Sequence, residues 1–299
     1  MTSRRFLIAT VVIAASTVAA ITPPDSAYQN DFDKWKQHLT ESRKRNWLSL
    51  VGLFWMKPGA NKFGSANDND IVLPSVPLHA ATFLLRDNHV SVVFPDKQVE
   101  FKFSGGESNH GANLQADDTE NPTLIEYGSL RMHMIRRGER VGLRVKDMNN
   151  PKIRSYAGPT FFPIDLHYRV TAKFVPSDGR RAVEVPNVLG DVMATPVVGE
   201  VDFTLNGQDF VLTSFEGDAA TGLSFVISDL TSKTETYPGG RFLDTDAVKN
   251  GEVTLDFNRA YSPPCSVTPY ATCPLAPKEN RLSVALPVGE KYDRTHGHH

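Results

Sequence analysis

The stretch Val201-Asp202-Phe203-Thr204-Leu205-Asn206-Gly207-Gln208-Asp209-Phe210-Val211-Leu212-Thr213-Ser214-Phe215 decides the fold class. Val201, Phe203 and Leu205 alternate with Asp202 and Thr204, which is the period of a half-buried strand. Asn206-Gly207 supplies two residues that tolerate positive φ, so residues 210–215 return beside 201–205 in a hairpin. The same period recurs in 90–94, 99–103, 168–174 and 253–258, and a short strand at 71–73 ends at Pro74. Arg137-Gly138-Glu139-Arg140 joins 130–135 to 141–145 as a second hairpin. Only 31–45 has helical spacing: Phe32, Trp35 and Leu39 recur at i, i+3 and i+7, opposite Lys34, Lys36, Glu41 and Lys44. Asn30 or Asp31 is positioned to cap it. The expectation is an all-β body, sandwich- or barrel-like and built of two fused β-units, with one N-terminal amphipathic helix.

The ends and the joints refine that expectation. Ser3-Arg4-Arg5 precedes a short apolar run, and Val18-Ala19-Ala20 offers small residues for cleavage, so 1–20 reads as a cleaved signal peptide. The run is shorter than the roughly 20 residues that span a bilayer, so no stable membrane span is expected after cleavage. Residues 21–60 hold the helix and an apolar anchor, Trp47-Leu48-Ser49-Leu50-Val51-Gly52-Leu53-Phe54-Trp55. Residues 61–146 form a first β-unit, 147–292 a second, and 293–299 a disordered tail. The polar, glycine-rich stretch 104–122 reads as a long lid-like loop. The predicted location is the periplasm or the extracellular space. There the two cysteines, Cys265 and Cys273, read most simply as one disulfide, with free thiols or a metal pair as alternatives. Their spacing does not fit zinc, no histidine lies nearby, and a bridge of this loop length contributes about 2–3 kcal/mol.

Lys+Arg 32 against Asp+Glu 34 gives a net charge of −2 without a basic stripe, which argues against a nucleic-acid partner. The chain has no G-x-S-x-G elbow, no H-E-x-x-H and no phosphate-cradling glycine loop, and no cofactor or metal is expected. His38, His79, His89, His110, His133 and His167 are scattered singly, as surface or satisfied histidines are. Phe63-Gly64-Ser65, Asn69-Asp70-Ile71-Val72-Leu73 and His79 resemble a forkhead-associated core. The arginine that grips phosphate in that family is replaced by Phe63 or Gly64, and Ser75 sits one residue too far from His79. The resemblance therefore implies a shared β-turn architecture and not phosphopeptide binding.

The second half carries denser motifs. Gly240-Arg241-Phe242-Leu243 is followed by Leu255-Asp256-Phe257-Asn258-Arg259-Ala260-Tyr261-Ser262-Pro263-Pro264-Cys265. Then come Cys273-Pro274-Leu275-Ala276-Pro277, Asn280-Arg281-Leu282 and Gly289-Glu290-Lys291. With the apolar anchor, Leu143-Arg144-Val145-Lys146-Asp147 and Phe161-Phe162-Pro163-Ile164-Asp165, these resemble the family known as domain of unknown function 1684. Two positions depart from its pattern, Ser262 for asparagine and Ala276 for proline. The resemblance implies a fold-mate and no reaction. Polar residues embedded in these apolar motifs are the candidate ligand-binding set: Arg144, Arg169, Tyr237, Arg241, Asp256, Asn258, Tyr261, Asn280 and Arg281. Alternation places Asp256 and Asn258 side by side on one strand face. A set of this kind either holds irregular loops or grips a small polar or anionic ligand beside the strand and loop 256–281. A hydrolase or lyase using Asp256 as base, supported by Tyr261 and Arg241, is the second reading, and a structural envelope-interaction role the third.

Overall fold

The computed structural model describes residues 24–94, 101–104 and 112–292; the expected signal peptide, the tail and His110 lie outside the described residues. Helix α1 (Ser26–Asn46) starts earlier than the spacing predicts, because Asp25, not Asn30 or Asp31, accepts the Tyr28 backbone N–H at 2.8 Å. Arg43, Lys44 and Arg45 lie in its last turn, where cations complement the helix dipole. Its buried face is Phe32, Leu39 and Arg43.

The first unit is a sandwich of two five-stranded sheets. Its strands are β1 (Leu50–Trp55), β2 (Gly59–Gly64), β3 (Ile71–Val72), β4 (Ala81–Arg86), β5 (His89–Val93), β6 (Lys102–Phe103), β7 (Ala112–Leu114), β8 (Leu124–Tyr127), β9 (Leu130–Arg137) and β10 (Arg140–Asp147). One sheet runs β1-β10-β9-β8-β6 and the other β3-β2-β4-β5-β7. Alternate residues meet between them, with Phe63, Phe83, Ile125, Met132, Met134, Leu143 and Val145 at the centre of the core. The apolar anchor is thus an edge strand, β1, paired to β10. The stretch read as one long loop contains β7, whose Ala112 and Leu114 are buried and which pairs with β5. Three residues are too few for alternation to stand out among glycines. Around the forkhead-like residues, the Asn69 side chain donates to the carbonyls of Ala66 and Leu78, both at 2.8 Å, and so holds a turn.

Short helix α2 (Pro151–Ser155) leads into the second unit, which contains β11 (Arg169–Pro176), β12 (Ala182–Pro186), β13 (Val192–Pro196), β14 (Gly199–Leu205), β15 (Gln208–Ser214), β16 (Glu216–Asp218), β17 (Gly222–Ile227), β18 (Arg241–Asp244) and β19 (Glu252–Asp256). They form a sheet β15-β14-β11-β19, a sheet β16-β17-β18 and a ribbon β12-β13. Val201, Leu212, Leu223, Phe225, Leu243, Leu255 and Phe257 fill the core between them. Asn206 and Gly207 take φ of 55° and 74°, so the decisive hairpin closes with Leu205 opposite Gln208. The described residues are mostly β, with α1 as the one substantial helix beside short α2 and a few 3₁₀ turns. Strand β19 stops at Asp256, and Phe257–Arg259 forms a 3₁₀ turn that the period-2 pattern does not distinguish from strand. Among the described residues, no helix is long and apolar enough to cross a membrane.

Candidate functional site

Asp256 ends β19 and caps the turn that follows. Its Oδ1 accepts the Asn258 backbone N–H at 3.2 Å and the Asn258 side-chain amide at 3.1 Å. Asp256 and Asn258 are therefore adjacent, but through a turn and not through a shared strand face. Its Oδ2 accepts the Tyr28 hydroxyl at 2.7 Å and lies 3.5 Å from Arg259 Nε and 3.7 Å from Arg169 Nε. Arg259 also pairs with Asp31. Both guanidiniums lie 5.9 Å from the Tyr28 ring centroid. Burial and the Asp256 carboxylate push the Tyr28 hydroxyl far above its ordinary pKa, so it stays a donor. Two arginines here face two carboxylates, and the cluster is neutral. It fastens the first turns of α1 to the second unit.

Arg241 is fully buried, donating to Asp229 Oδ2 at 2.8 Å, to the Leu286 carbonyl at 3.2 Å and to the Val288 carbonyl. Asn280 exchanges two bonds with the Thr213 backbone at 2.8 and 2.9 Å. Tyr237 is buried edge-on against Tyr292. Tyr261 donates to Asp244 Oδ2 at 2.7 Å and stacks on Trp47. Arg281 is exposed and donates to the Ala276 carbonyl at 3.3 Å. Arg241, Asn280, Tyr237 and Tyr261 thus hold loops, and among the described residues no hydrogen bond joins Asp256 to Arg241 or Tyr261. A further buried ion pair has no counterpart in the sequence reading of α1. Arg43 meets Glu290 fork to fork, with Nη1 to Oε1 at 2.7 Å and Nη2 to Oε2 at 2.5 Å.

Arg144 lies elsewhere, on the outer face of the first sandwich. There β9 and β10 turn Arg131, His133, Arg137, Arg140, Arg144 and Lys146 away from the core, with Arg144 opposite His133. Three of the five permanent cations have their own carboxylates. Arg131 takes Glu126 at 3.0 Å, Arg137 takes both oxygens of Asp117 at 2.9 and 3.0 Å, and Arg140 takes Asp191 from the second unit. Arg144 and Lys146 have none among the described residues. Burial first, then Arg137, lowers the Arg144 pKa to about 10 although Asp117 opposes the shift. Burial first, then Arg144, lowers that of Lys146. His133 falls to about 4, by burial and then by Arg144, so it is neutral near neutrality.

The loop that carries the disulfide closes over this face. Thr272 Oγ1 accepts from Arg137 Nε at 3.0 Å and from Arg144 Nη2 at 3.3 Å. With both lone pairs taken, its hydroxyl proton has no acceptor among the described residues. Arg144 Nε is buried with no partner either. Thr272 is held by its neighbour, since Cys273 is bridged to Cys265 with the two Cα atoms 6.2 Å apart. The signal for Lys146 was in Leu143-Arg144-Val145-Lys146-Asp147, where alternation puts both cations on one face. Thr272 had no sequence signal beyond standing next to a cysteine. Among the described residues no three His, Cys, Asp or Glu side chains gather as metal ligands.

Residues 154–291 match the model of a family described as a protein of unknown function (DUF1684). The chain resembles the DUF1684 family. Its DUF1684 region begins in α2 and holds β11 to β19, the disulfide and Thr272; Arg144 and Lys146 precede it. An uncharacterized protein of Haloarcula marismortui, solved by solution NMR, is 31% identical over 49% of this chain and 83% of that chain, with a TM-score of 0.40. No curated protein matches the chain.

Proposed function

We propose that this is an exported protein that binds a small anion where the disulfide loop crosses the outer face of β9 and β10. One observation carries the reading: Arg144 and Lys146 are half-buried cations with no carboxylate paired to either among the described residues, and Arg137 lies near Arg144 as Arg144 lies near Lys146. A buried charge is normally paired, because removing it from water alone is costly. An anion supplies the missing partner, and beside half-buried cations under the disulfide loop a charge-assisted bond to it is strong. Thr272 lies within the 256–281 loop, so the ligand would touch both units. Export is supported by the composition of residues 1–20 and by the disulfide.

Binding is favoured over hydrolysis by Asp256, Tyr261 and Arg241, because the hydrogen bonds of those three side chains go to loops, to α1 and to Asp244. It is favoured over a purely structural role because Arg144 and Lys146 have no paired carboxylate among the described residues, whereas Arg43, Arg241 and Arg259, whose Nε atoms are equally unpartnered, each have one. The test is calorimetric titration of the full chain with small inorganic and organic anions. Binding that disappears in Arg144→Met while the variant stays folded supports the site. Equal binding by wild type and Arg144→Met would remove Arg144 from it and sink the proposal.

A further inference from the structure

Resting on the anion-binding reading, we infer that the ligand is a dianionic tetrahedral oxyanion of the phosphate class, and not a single carboxylate. The charge count comes first. On β9 and β10 the face carries two permanent cations beyond those matched by Glu126, Asp117 and Asp191, so one dianion neutralises it and one carboxylate leaves half of the excess. The second argument is the kind of group that is unused. Arg144 Nε, the Lys146 ammonium and the Thr272 hydroxyl proton are donors, three of them against the single acceptor nitrogen of neutral His133. A neutral hydroxyl or amide ligand would bring donors for which His133 offers one acceptor, and it would leave both excess cations unmatched.

Direction is the third argument. Arg144 and Lys146 rise from one strand two residues apart, His133 stands opposite Arg144 on the next strand, and Thr272 approaches from the covering loop. Donors arriving from the sheet and from the loop need acceptor oxygens in more than one plane. A tetrahedral oxyanion has them and a planar carboxylate does not. Arg137 is not a direct ligand, since Asp117 and Thr272 occupy its Nη1, Nη2 and Nε; it fixes Thr272 and adds field. Free phosphate and an esterified phosphate share this chemistry.

The experiment is isothermal titration of the full chain with inorganic phosphate, methyl phosphate, sulfate and acetate, each at about pH 7.5 and about pH 5.5. A phosphomonoester gains its second charge near pH 6. In the free protein His133 is neutral across that range, and sulfate, whose charge does not change over it, separates the ligand's own titration from any proton that His133 gains in the complex. The expected result is that phosphate or its methyl ester binds roughly ten- to hundredfold tighter than acetate at the higher pH, the range of one added charge-assisted bond. Affinity then falls at the lower pH for phosphate and not for sulfate. Tighter methyl phosphate assigns an esterified ligand, and tighter inorganic phosphate a free one. Arg144→Met and Lys146→Met, each checked for a native melting transition, both weaken binding. Acetate equal to phosphate, with both lost in Arg144→Met, overturns the dianion while leaving an anion site. If no anion binds, or Arg144→Met changes nothing, the site itself falls.

Discussion

Arg144 and Arg43 are both partly or wholly withdrawn from water, yet they stand in opposite electrostatic situations. Arg43 is enclosed by Glu290, the Ser262 carbonyl and the Tyr156 hydroxyl, and burial is outweighed by Glu290, so its charge is reinforced. Removing one partner strands the other. Glu290→Gln is expected to cost about 3–5 kcal/mol, read as a fall in urea midpoint. Arg144 has no such partner, so Arg144→Met relieves repulsion and leaves Tm unchanged or raised; a fall of several degrees would show that it holds structure. His133 reports the same field. Below its unfolded pKa of about 6.5 the unfolded chain takes a proton that the folded chain refuses until about pH 4. Stability present above pH 6.5 is therefore lost as pH falls toward 4, by at most about 3 kcal/mol, and His133→Gln is expected to flatten that slope. A bound anion raises the His133 pKa, which an NMR titration of its ring proton measures.

Among the elements, those with unbroken alternation were legible and those that end in a hydrogen bond were not. The hairpin at Asn206-Gly207 and the turn at Gly138 are written in residue types that few other conformations tolerate. The early start of α1 at Asp25 and the end of β19 at Asp256 depend on side chains accepting backbone N–H groups, and Asp or Asn elsewhere in the same stretch looks equally suitable. The site was half legible for a related reason. Arg144 was marked by its apolar setting, whereas Arg137 read as a turn residue and Thr272 carried no signal of its own. Which cations lack carboxylates depends on pairings such as Arg140 with Asp191, brought together only by the fold. At this scale the disulfide loop makes two predictions. Cys265→Ser with Cys273→Ser costs about 2–3 kcal/mol by chain entropy, read by denaturant melting. It also frees Thr272, so anion affinity drops while Arg144 is untouched; unchanged affinity would mean that the loop is not a wall of the site.

At the scale of the whole molecule, the two hydrophobic cores are joined by polar contacts from β9 and β10 to Asp191 and Thr272 and by a helix that belongs to neither sheet. A ligand that touches β10 and the 265–273 loop fastens them together, and saturation at about 100 times Kd is expected to add about 2.7 kcal/mol, seen as one later melting transition. Stabilisation of only one of two transitions would place the ligand within a single unit. The docking of α1 has a consequence for how the chain comes into being. It is made before the residues it docks on: Tyr28 awaits Asp256 and Arg43 awaits Glu290, 228 and 247 residues further on. Until Asp256 and Glu290 arrive, Phe32 and Leu39 have no completed surface to cover them. The helix is a clasp whose catches are made long after it: its docking is a long-range step, and a growing chain carries its apolar face uncovered until the second unit is complete.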